Sequence, residues 1–584
     1  MSTKSVEEIK KESRHLRGQI VETLKSDVSH FEEAEYQLLK YHGTYQQDDR
    51  DLRNERKKAG LDKAWSFMVR SKIPGGELSA DQYLMHDKMA DDLANHTLRI
   101  TTRQGFQVHG ILKGSLKECI ARICNSGLTT WGACGDVVRN TMSASSPLHD
   151  AAHLDALKLA QEINDATLPK SRAFSEIWLD GQKLDLNSSA TANQEADSLY
   201  GELYLPRKFK IAIAVPPRND VDVFSNDIGF ICHAPHGVVE GYNIYVGGGF
   251  GMSHGQLQTR PFLSQPLGYV TRAHCVEAAL AIITTQRDFG NRAERKLARL
   301  KYLVQSRGIE WFRTEVQSRM KGQVEPLKDI KLDGVSDMLG WHEQGDGKWF
   351  CGVFVSEGRI KDTDQVQYRQ ALRKIAETFQ PRIRLTANCN LILCDIQPRD
   401  RAAIDQILRQ HGIADPAGLT EARRMAHACV ALPTCGLSLA ESERVFPQVM
   451  NGIDAILREL NLAEEPILFR MSGCPNGCSR PYNADISFVG RGPNKYAFFI
   501  GGSHRGDRLV GLEEKTVLLD EIPAKVRPYL ETYARERKPS ERFSDFWART
   551  RTNGEAPSPE QFHIELEERA KRLAEAGEKP TAQA

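Results

Sequence analysis

Long apolar runs are missing from this 584-residue chain. No stretch approaches the length that crosses a bilayer, so no membrane-spanning helix is expected. The first residues, MSTKSVEEIKKESRHLR, mix charges without an apolar core. That excludes a secretory signal and sets the expectation of a cytoplasmic protein with no membrane partner. An excess of charge of one sign is missing too. Lys and Arg number 78 against 77 Asp and Glu, a net of +1, so no global field draws nucleic acid and any positive field must be local. A nucleotide-binding glycine unit is also absent. The run VGGGFG (246–251) has neither the strand–GxGxxG–helix context nor a suitably placed acid. It reads as a tight backbone passage.

What is present begins with length. A chain this long exceeds a single hydrophobic core, and two to four domains are expected. Apolar content of 40% and charged content of 27% are ordinary for a soluble enzyme. An internal repeat runs through it. LRITTRQGFQVHG (98–110) and IRLTANCNLILCD (383–395) each read as an alternating strand with an Arg-x-Thr, Arg99 with Thr101 and Arg384 with Thr386. A β-rich run ending in glycine precedes each copy, FMVRSKIPGG (67–76) and WFCGVFVSEG (349–358). An amphipathic helix follows that run, over 79–94 and 364–378. Gly127 and Gly412 both fall 26 residues beyond the threonine. Spacing matched on both sides of the motif indicates duplication. Between the copies lie the strand KIAIAVPP (210–217) and the basic segment TTQRDFGNRAERKLARLKY (284–302), read as a helix.

Twelve cysteines in a cytosolic chain indicate thiols, metals or redox centres before disulfides. Eight (119, 124, 134, 232, 275, 351, 389, 394) stand singly among apolar neighbours and read as core residues. The other four are paired. ACVALPTCGLS (428–438) holds Cys429 and Cys435; MSGCPNGCSRP (471–481) holds Cys474 and Cys478. Pro475, Asn476 and Gly477 favour a tight turn that aims two sulfurs the same way. Zinc prefers C-x₂₋₄-C knuckles, which the five-residue spacer fits poorly; a cubane cluster needs four converging thiolates.

These motifs resemble those of the sulfite/nitrite reductase family over about residues 35–548. The resemblance implies that the quartet holds a 4Fe–4S cluster and that Cys478 also serves as the axial ligand of siroheme. It implies an α+β fold: duplicated siroheme-reductase half-domains, a middle α/β domain and a C-terminal Fe–S/siroheme-binding domain. The expected order is an N-terminal wrapping arm (1–60), a first ferredoxin-like half-domain (61–138), a siroheme and substrate α/β domain (139–335), a second half-domain (336–418), the Fe–S domain (419–550) and a flexible tail (551–584).

Siroheme is rich in carboxylates and sulfite is a dianion, so both call for cations, with arginine forks suiting carboxylates. By resemblance, Arg99, Thr101, Arg103, Gln107 and His109 contact siroheme, and strand alternation would put all five on one face. Arg207 and Asn291, with Arg287 and Arg292 beside it, are further candidate cofactor contacts. The anion pocket is expected from Arg70, Arg139, Lys208 and Lys210, the last two sharing a face. Lys72 stands where the family commonly has arginine. The implied reaction is six-electron reduction of sulfite to sulfide, feeding cysteine synthesis, with ammonia-forming nitrite reduction as the alternative. Nitrite-type relatives often carry asparagine at the second pocket lysine, so Lys210 favours sulfite. With no flavin or NADPH module in the sequence, electrons must come from a partner, an NADPH-oxidising flavoprotein or ferredoxin.

Overall fold

A computed structural model describes residues 4–170, 178–179, 182–183, 197–253, 256, 258–552 and 562. The chain forms two compact units, Met1–Gly248 with Ser264–Leu419, and Gly249–Leu263 with Thr420–Ala584. Helices and sheets alternate throughout, an α+β architecture.

The first unit carries the sequence repeat as two five-stranded antiparallel sheets. One runs Thr44–Asp48, Trp65–Arg70, Phe106–Ile111, Leu98–Ile100, Arg359–Ile360; the other runs Gly340–Glu343, Trp349–Val353, Leu391–Ile396, Arg382–Leu385, Glu77–Leu78. The order is the same, and each sheet ends on a two-residue strand lent by the other copy. Arg359 pairs with Arg99, and Leu78 with Ile383. Helices Ala80–Leu93 and Tyr368–Phe379 pack together, Arg369 Nε lying 2.8 Å from Asp87. The outer helices Leu116–Asn125 and Arg401–Gln410 stop at Gly127 (φ +84°) and Gly412 (φ +70°), the left-handed position that ends a helix cheaply only with glycine.

Two elements differ from the sequence expectation. Residues 98–110 form not one strand but a hairpin, Leu98–Ile100 and Phe106–Ile111, with Arg99 opposite Gln107 and Gln104 at φ +50° in the turn. The polar T-T-R-Q-G sequence breaks the ladder. Directly opposed residues of an antiparallel pair share a face, so Arg99, Gln107 and His109 remain together, while Thr101 and Arg103 belong to the turn. The basic segment 284–302 is likewise not one helix: Cys275–Phe289 ends at Gly290, and Leu300–Arg307 begins anew.

A third five-stranded sheet lies in the first unit: Gln265–Thr271, Gly241–Val246, Ile228–His233, Ile211–Ala214, Met142–Ser143. Helices Ala151–Thr167 and Cys275–Phe289 pack on each other beside it, around a core that includes Ile211, Ile213, Phe230, Tyr242 and Ile282. Gly248 follows in the glycine run, where a Cβ would stand 2.3 Å from the Phe224 carbonyl, so the run is indeed a tight passage.

Among the described residues the second unit has one sheet, His427–Ala428, Phe469–Ser472, Ile486–Gly492, Lys495–Ile500, Gly511–Leu518. Its internal pattern repeats that third sheet. In both, two parallel pairings are followed by two antiparallel ones. Ile228 faces Ile211 in one and Ile486 faces Phe469 in the other. Asp227 accepts from Lys210 N at 2.9 Å, and Asp485 from Leu468 N at 2.8 Å. The duplication therefore extends beyond the half-domains to the mixed sheets. Of the tail expected to be flexible, Arg551, Thr552 and Phe562 lie among the described residues. Phe562 is buried against Tyr482 and Phe499; the other tail residues lie outside the described ones.

Candidate active site

In the second unit the cysteine loops leave the ends of the two parallel strands. Cys429 follows His427–Ala428, and its N–H donates to Met471 O at 3.1 Å. Cys474 follows Phe469–Ser472, and its loop closes tightly: Gly477 N to Cys474 O at 3.3 Å, Arg480 N to Gly477 O at 3.0 Å, with Gly477 at φ +62°. The expected Pro-Asn-Gly turn is there. Gly473 ties the two loops together, its N–H donating to Cys429 Sγ at 3.2 Å and its carbonyl accepting from Leu439 and Ala440. Beneath the second loop, buried Arg470 donates to Arg480 O and to Asn483 Oδ1, both at 2.9 Å. Ser472 and Ser479 hydroxyls meet at 2.6 Å, and Pro475 O receives Met252 N and Tyr482 Oη.

The four thiols feel one another. Burial pushes the Cys429 thiol up to about 12, with Cys478 and Cys435 adding to the rise; Cys474 is raised by burial, then by Cys478, Cys429 and Cys435. Yet among the described residues no three His, Cys, Asp or Glu side chains close on a single metal ion. A cubane cluster needs four thiolates, and the C-x₅-C and C-x₃-C pairs supply that number. Cys474 is buried, Cys429 and Cys435 half-buried, and Cys478 exposed. In the matching sheet of the first unit, Pro216 and Asp220 stand at the same distances beyond the strand as Cys474 and Cys478 do in the second. The quartet is a property of one copy only. Of the eight single cysteines, seven are buried as expected and Cys124 is half-buried.

In the first unit the cations converge. Arg139 Nη2 reaches Tyr45 Oη at 3.4 Å, and Arg70 Nη1 reaches Cys134 Sγ at 3.3 Å. Lys208 and Lys210 flank Phe209, which pairs with Val138 and is buried in the core, so the lysines face the other way. Burial lowers Lys208 strongly, with Arg207, Arg139, Arg299 and Lys210 adding to it. Burial lowers Lys210 to about 7, helped by Arg299, Arg103 and Arg139 and opposed by Asp227. Both lysines retain some accessible surface while protein atoms crowd them on all sides.

The predicted cofactor face is close by. His109 is pushed well below its ordinary value by burial, then by Arg359, Arg99 and Arg70. Gln107 Oε1, Arg70 Nε and Arg139 Nε are buried without hydrogen-bond partners, the unmet capacity a polar ligand would fill. Thr101 Oγ1 accepts from Arg103 N, and Arg103 bonds Asn226 Oδ1 at 2.6 Å together with the Asn140 and Ile211 carbonyls, bracing the turn. Asn291 stands apart. It is exposed, and its Oδ1 accepts from Glu294 N at 2.8 Å, because the broken helix leaves it in a surface turn. Arg287 pairs with Asp288 and Leu199 O, and Arg292 with Glu7 and Tyr204 O.

Comparison with known proteins agrees with this layout. Residues 135–324 match the family described as nitrite and sulphite reductase 4Fe-4S domain, and residues 62–125 and 342–411 match the nitrite/sulfite reductase ferredoxin-like half domain. The sulfite reductase (NADPH) hemoprotein beta-component of Staphylococcus saprophyticus is 43% identical over 560 residues, 96% of this chain and 97% of its own. The chain belongs to the nitrite and sulfite reductase family.

The protein of the same name from Xylella fastidiosa is also 43% identical, over 97% of this chain and 99% of its own. The structure of Mycobacterium tuberculosis NirA shares the fold, with a TM-score of 0.75 at 23% identity, covering 94% of this chain and 97% of that one. The family's cofactors are a 4Fe–4S cluster and siroheme, and the thiols and orphaned polar groups described above fit that pair. Within the reductase the quartet lies outside the matched span 135–324, in the second copy of the mixed sheet. Sequence reading missed this second duplication because the copies differ at the ligand positions themselves. It also missed Arg470 and Asp136, single charges whose importance is visible only once they are buried. The acid in GDVVRN, three residues before Arg139, was the one available signal.

Proposed function

We propose that this chain is the siroheme and 4Fe–4S subunit of an assimilatory sulfite reductase, carrying out six-electron reduction of sulfite to sulfide for cysteine biosynthesis. The observation that carries the reading is the gathering of Arg139, Arg207, Lys208 and Lys210 into one cation-rich wall, with Arg70 adjoining, in a chain 43% identical to proteins named sulfite reductase hemoprotein. Siroheme supplies the iron that takes the substrate, and the cluster supplies electrons singly.

The chain's own residues do the rest. Arg70 and Arg139 hold the dianion's oxygens through their planar guanidinium forks. Lys210, lowered to about 7, holds a proton loosely enough to give it up as S–O bonds break, and Lys208 lies beside it on the same face. Arg99, Gln107, His109 and Arg207 hold the cofactor's carboxylates, with Thr101 and Arg103 fixing the turn between strands. Cys429, Cys435, Cys474 and Cys478 hold the cluster. Cys478, the exposed thiol of the four, would hold the siroheme iron as well as the cluster. Electrons arrive from a partner protein, an NADPH-dependent flavoprotein or ferredoxin, in the cytoplasm; among the described residues no helix is long and apolar enough to cross a membrane.

The test is steady-state turnover of purified enzyme on sulfite and on nitrite with a chemical reductant, after iron and siroheme are quantified. Sulfide production with kcat/KM favouring sulfite is expected. Turnover confined to nitrite would assign the enzyme to ammonia formation instead.

A further inference from the structure

Three successive backbone carbonyls lead into the Arg207–Lys208 segment, and each receives a cation. Tyr204 O accepts from Arg292 Nη2 at 2.6 Å, Leu205 O from Lys10 Nζ at 3.1 Å, and Pro206 O from Arg295 Nη1 at 3.4 Å. Two carboxylates gather those cations in turn. Asp136, 2% exposed, lies 2.8 Å from Arg295 Nη1, 3.7 Å from Lys10 Nζ and 3.8 Å from Arg207 Nη1. Glu7 pairs with Lys10 and, at 2.7 Å, with Arg292. Asp136 is held well below the usual carboxylate range by Arg295, Lys10 and Arg207, which outweigh its burial. Lys10 is itself 1% exposed, although it lies on the short N-terminal helix Val6–Glu12.

The same segment is pinned to the stretch that carries Arg139. Leu205 N donates to Asp136 O at 3.0 Å, Phe209 N to Val137 O at 3.0 Å, and Arg139 N to Phe209 O at 2.9 Å. Tyr204 takes φ +55°, a left-handed conformation that a tyrosine keeps only where its surroundings over-determine it. A buried lysine costs free energy to bury. Here it reaches across 195 residues of sequence to one carbonyl, which marks what the contact is for.

We propose that the N-terminal helix is a positioning element of the anion pocket: Glu7 and Lys10, through Asp136 and the Leu205 carbonyl, set the placement of Arg207 and Lys208. This rests on the reading above that Lys208 faces the substrate. The helix touches no substrate. It acts by fixing the backbone from which the pocket cations project, and small misplacement of such groups is costly in rate and affinity.

The experiment uses full-length holoenzyme with Lys10→Met, Glu7→Gln and Lys208→Ala. Sulfite affinity is read from siroheme absorption, alongside KM and kcat with a chemical reductant, siroheme content and the thermal midpoint. Lys10→Met should weaken sulfite binding and raise KM by about tenfold while siroheme content stays full, and Lys10→Arg should recover most of the loss. Glu7→Gln, at a half-buried position, should give a smaller change of the same kind, and it carries the test if Lys10→Met fails to fold. Wild-type sulfite affinity and KM in folded, fully loaded Lys10→Met and Glu7→Gln would overturn the proposal, as would a fall in thermal midpoint alone. Lys208→Ala separates the two readings. If it weakens sulfite binding and the helix variants do not, only the positioning role is refuted. If it leaves sulfite binding unchanged, the pocket assignment fails and the positioning role falls with it.

Discussion

Lys210→Ala removes one ammonium from the cation wall while leaving the cluster thiols untouched. Lys210 sits outside the strand Ile211–Ala214, its backbone N–H held by Asp227 at 2.9 Å, so truncation of its side chain leaves that register bond intact. A unit charge about 4 Å from another contributes ~4 kcal/mol at an effective dielectric of ~20. Neighbouring cations share the load, and loss of one preorganised donor commonly costs about 2.7–4 kcal/mol, on the order of a hundredfold or more in rate. Sulfite turnover should therefore fall at least about a hundredfold with siroheme content unchanged. Nitrite carries one charge fewer, so Lys210→Asn should lose less on nitrite than on sulfite. The pH dependence has a definite sign. Burial and Arg299, Arg103 and Arg139 lower Lys210 to about 7; it is an ammonium below that value and an amine above it, and a bound anion can only raise it. Wild-type sulfite turnover should decline on an alkaline limb at or above pH 7. Lys210→Arg, if active, should move that limb upward because guanidinium keeps its proton. The assay is turnover of both anions across pH 6 to 10 by wild type and the three variants, heme quantified first. Small and equal losses on both substrates with full heme, or a limb unmoved in Lys210→Arg, would refute the assignment.

Cys478→Ser should disturb both the siroheme and the cluster spectra, whereas Cys119→Ser, at a buried position among apolar residues, should leave both intact; a normal heme spectrum in Cys478→Ser would remove it as axial ligand. Lys72 is 1% exposed, and burial lowers it to about 7. Unfolded lysine titrates near ~10.4, so between the two values the unfolded chain binds the extra proton and stability should rise with pH, by up to ~1.4 kcal/mol per unit. Lys72→Met should flatten that rise, read as the thermal midpoint of both proteins from pH 7 to 10; parallel curves would show that Lys72 is not buried as a near-neutral amine.

The half-domain repeat was legible in the sequence because it is periodic, and the cysteine quartet and the lysine and arginine candidates were nameable there because each is a local pattern. C-x₅-C and C-x₃-C are spacings, Arg-x-Thr with a glycine 26 residues on is a period, and a strand face follows from alternation. What distance along the chain hides was not legible. The hairpin at Thr101–Gly105 was missed because alternation continues across a tight turn, yet Arg99 and Gln107 meet anyway because opposed strand residues share a face. The break at Gly290 was missed because amphipathic charge spacing persists through it, and it puts Asn291 in a turn rather than on a helix. The second duplication left only scattered residues in common, such as Ile228 with Ile486 and Phe230 with Phe488, and hydrogen-bond register revealed it, Asp227 and Asp485 each holding the corresponding backbone N–H. The sequence by itself determined which chemistry the chain can perform, since thiolate spacing and cation type are properties of residues. Tertiary structure alone decided which charges are buried together. Asp136, Lys10 and Arg295 are unremarkable in sequence and become a linked set only when folding removes the water that would otherwise screen them.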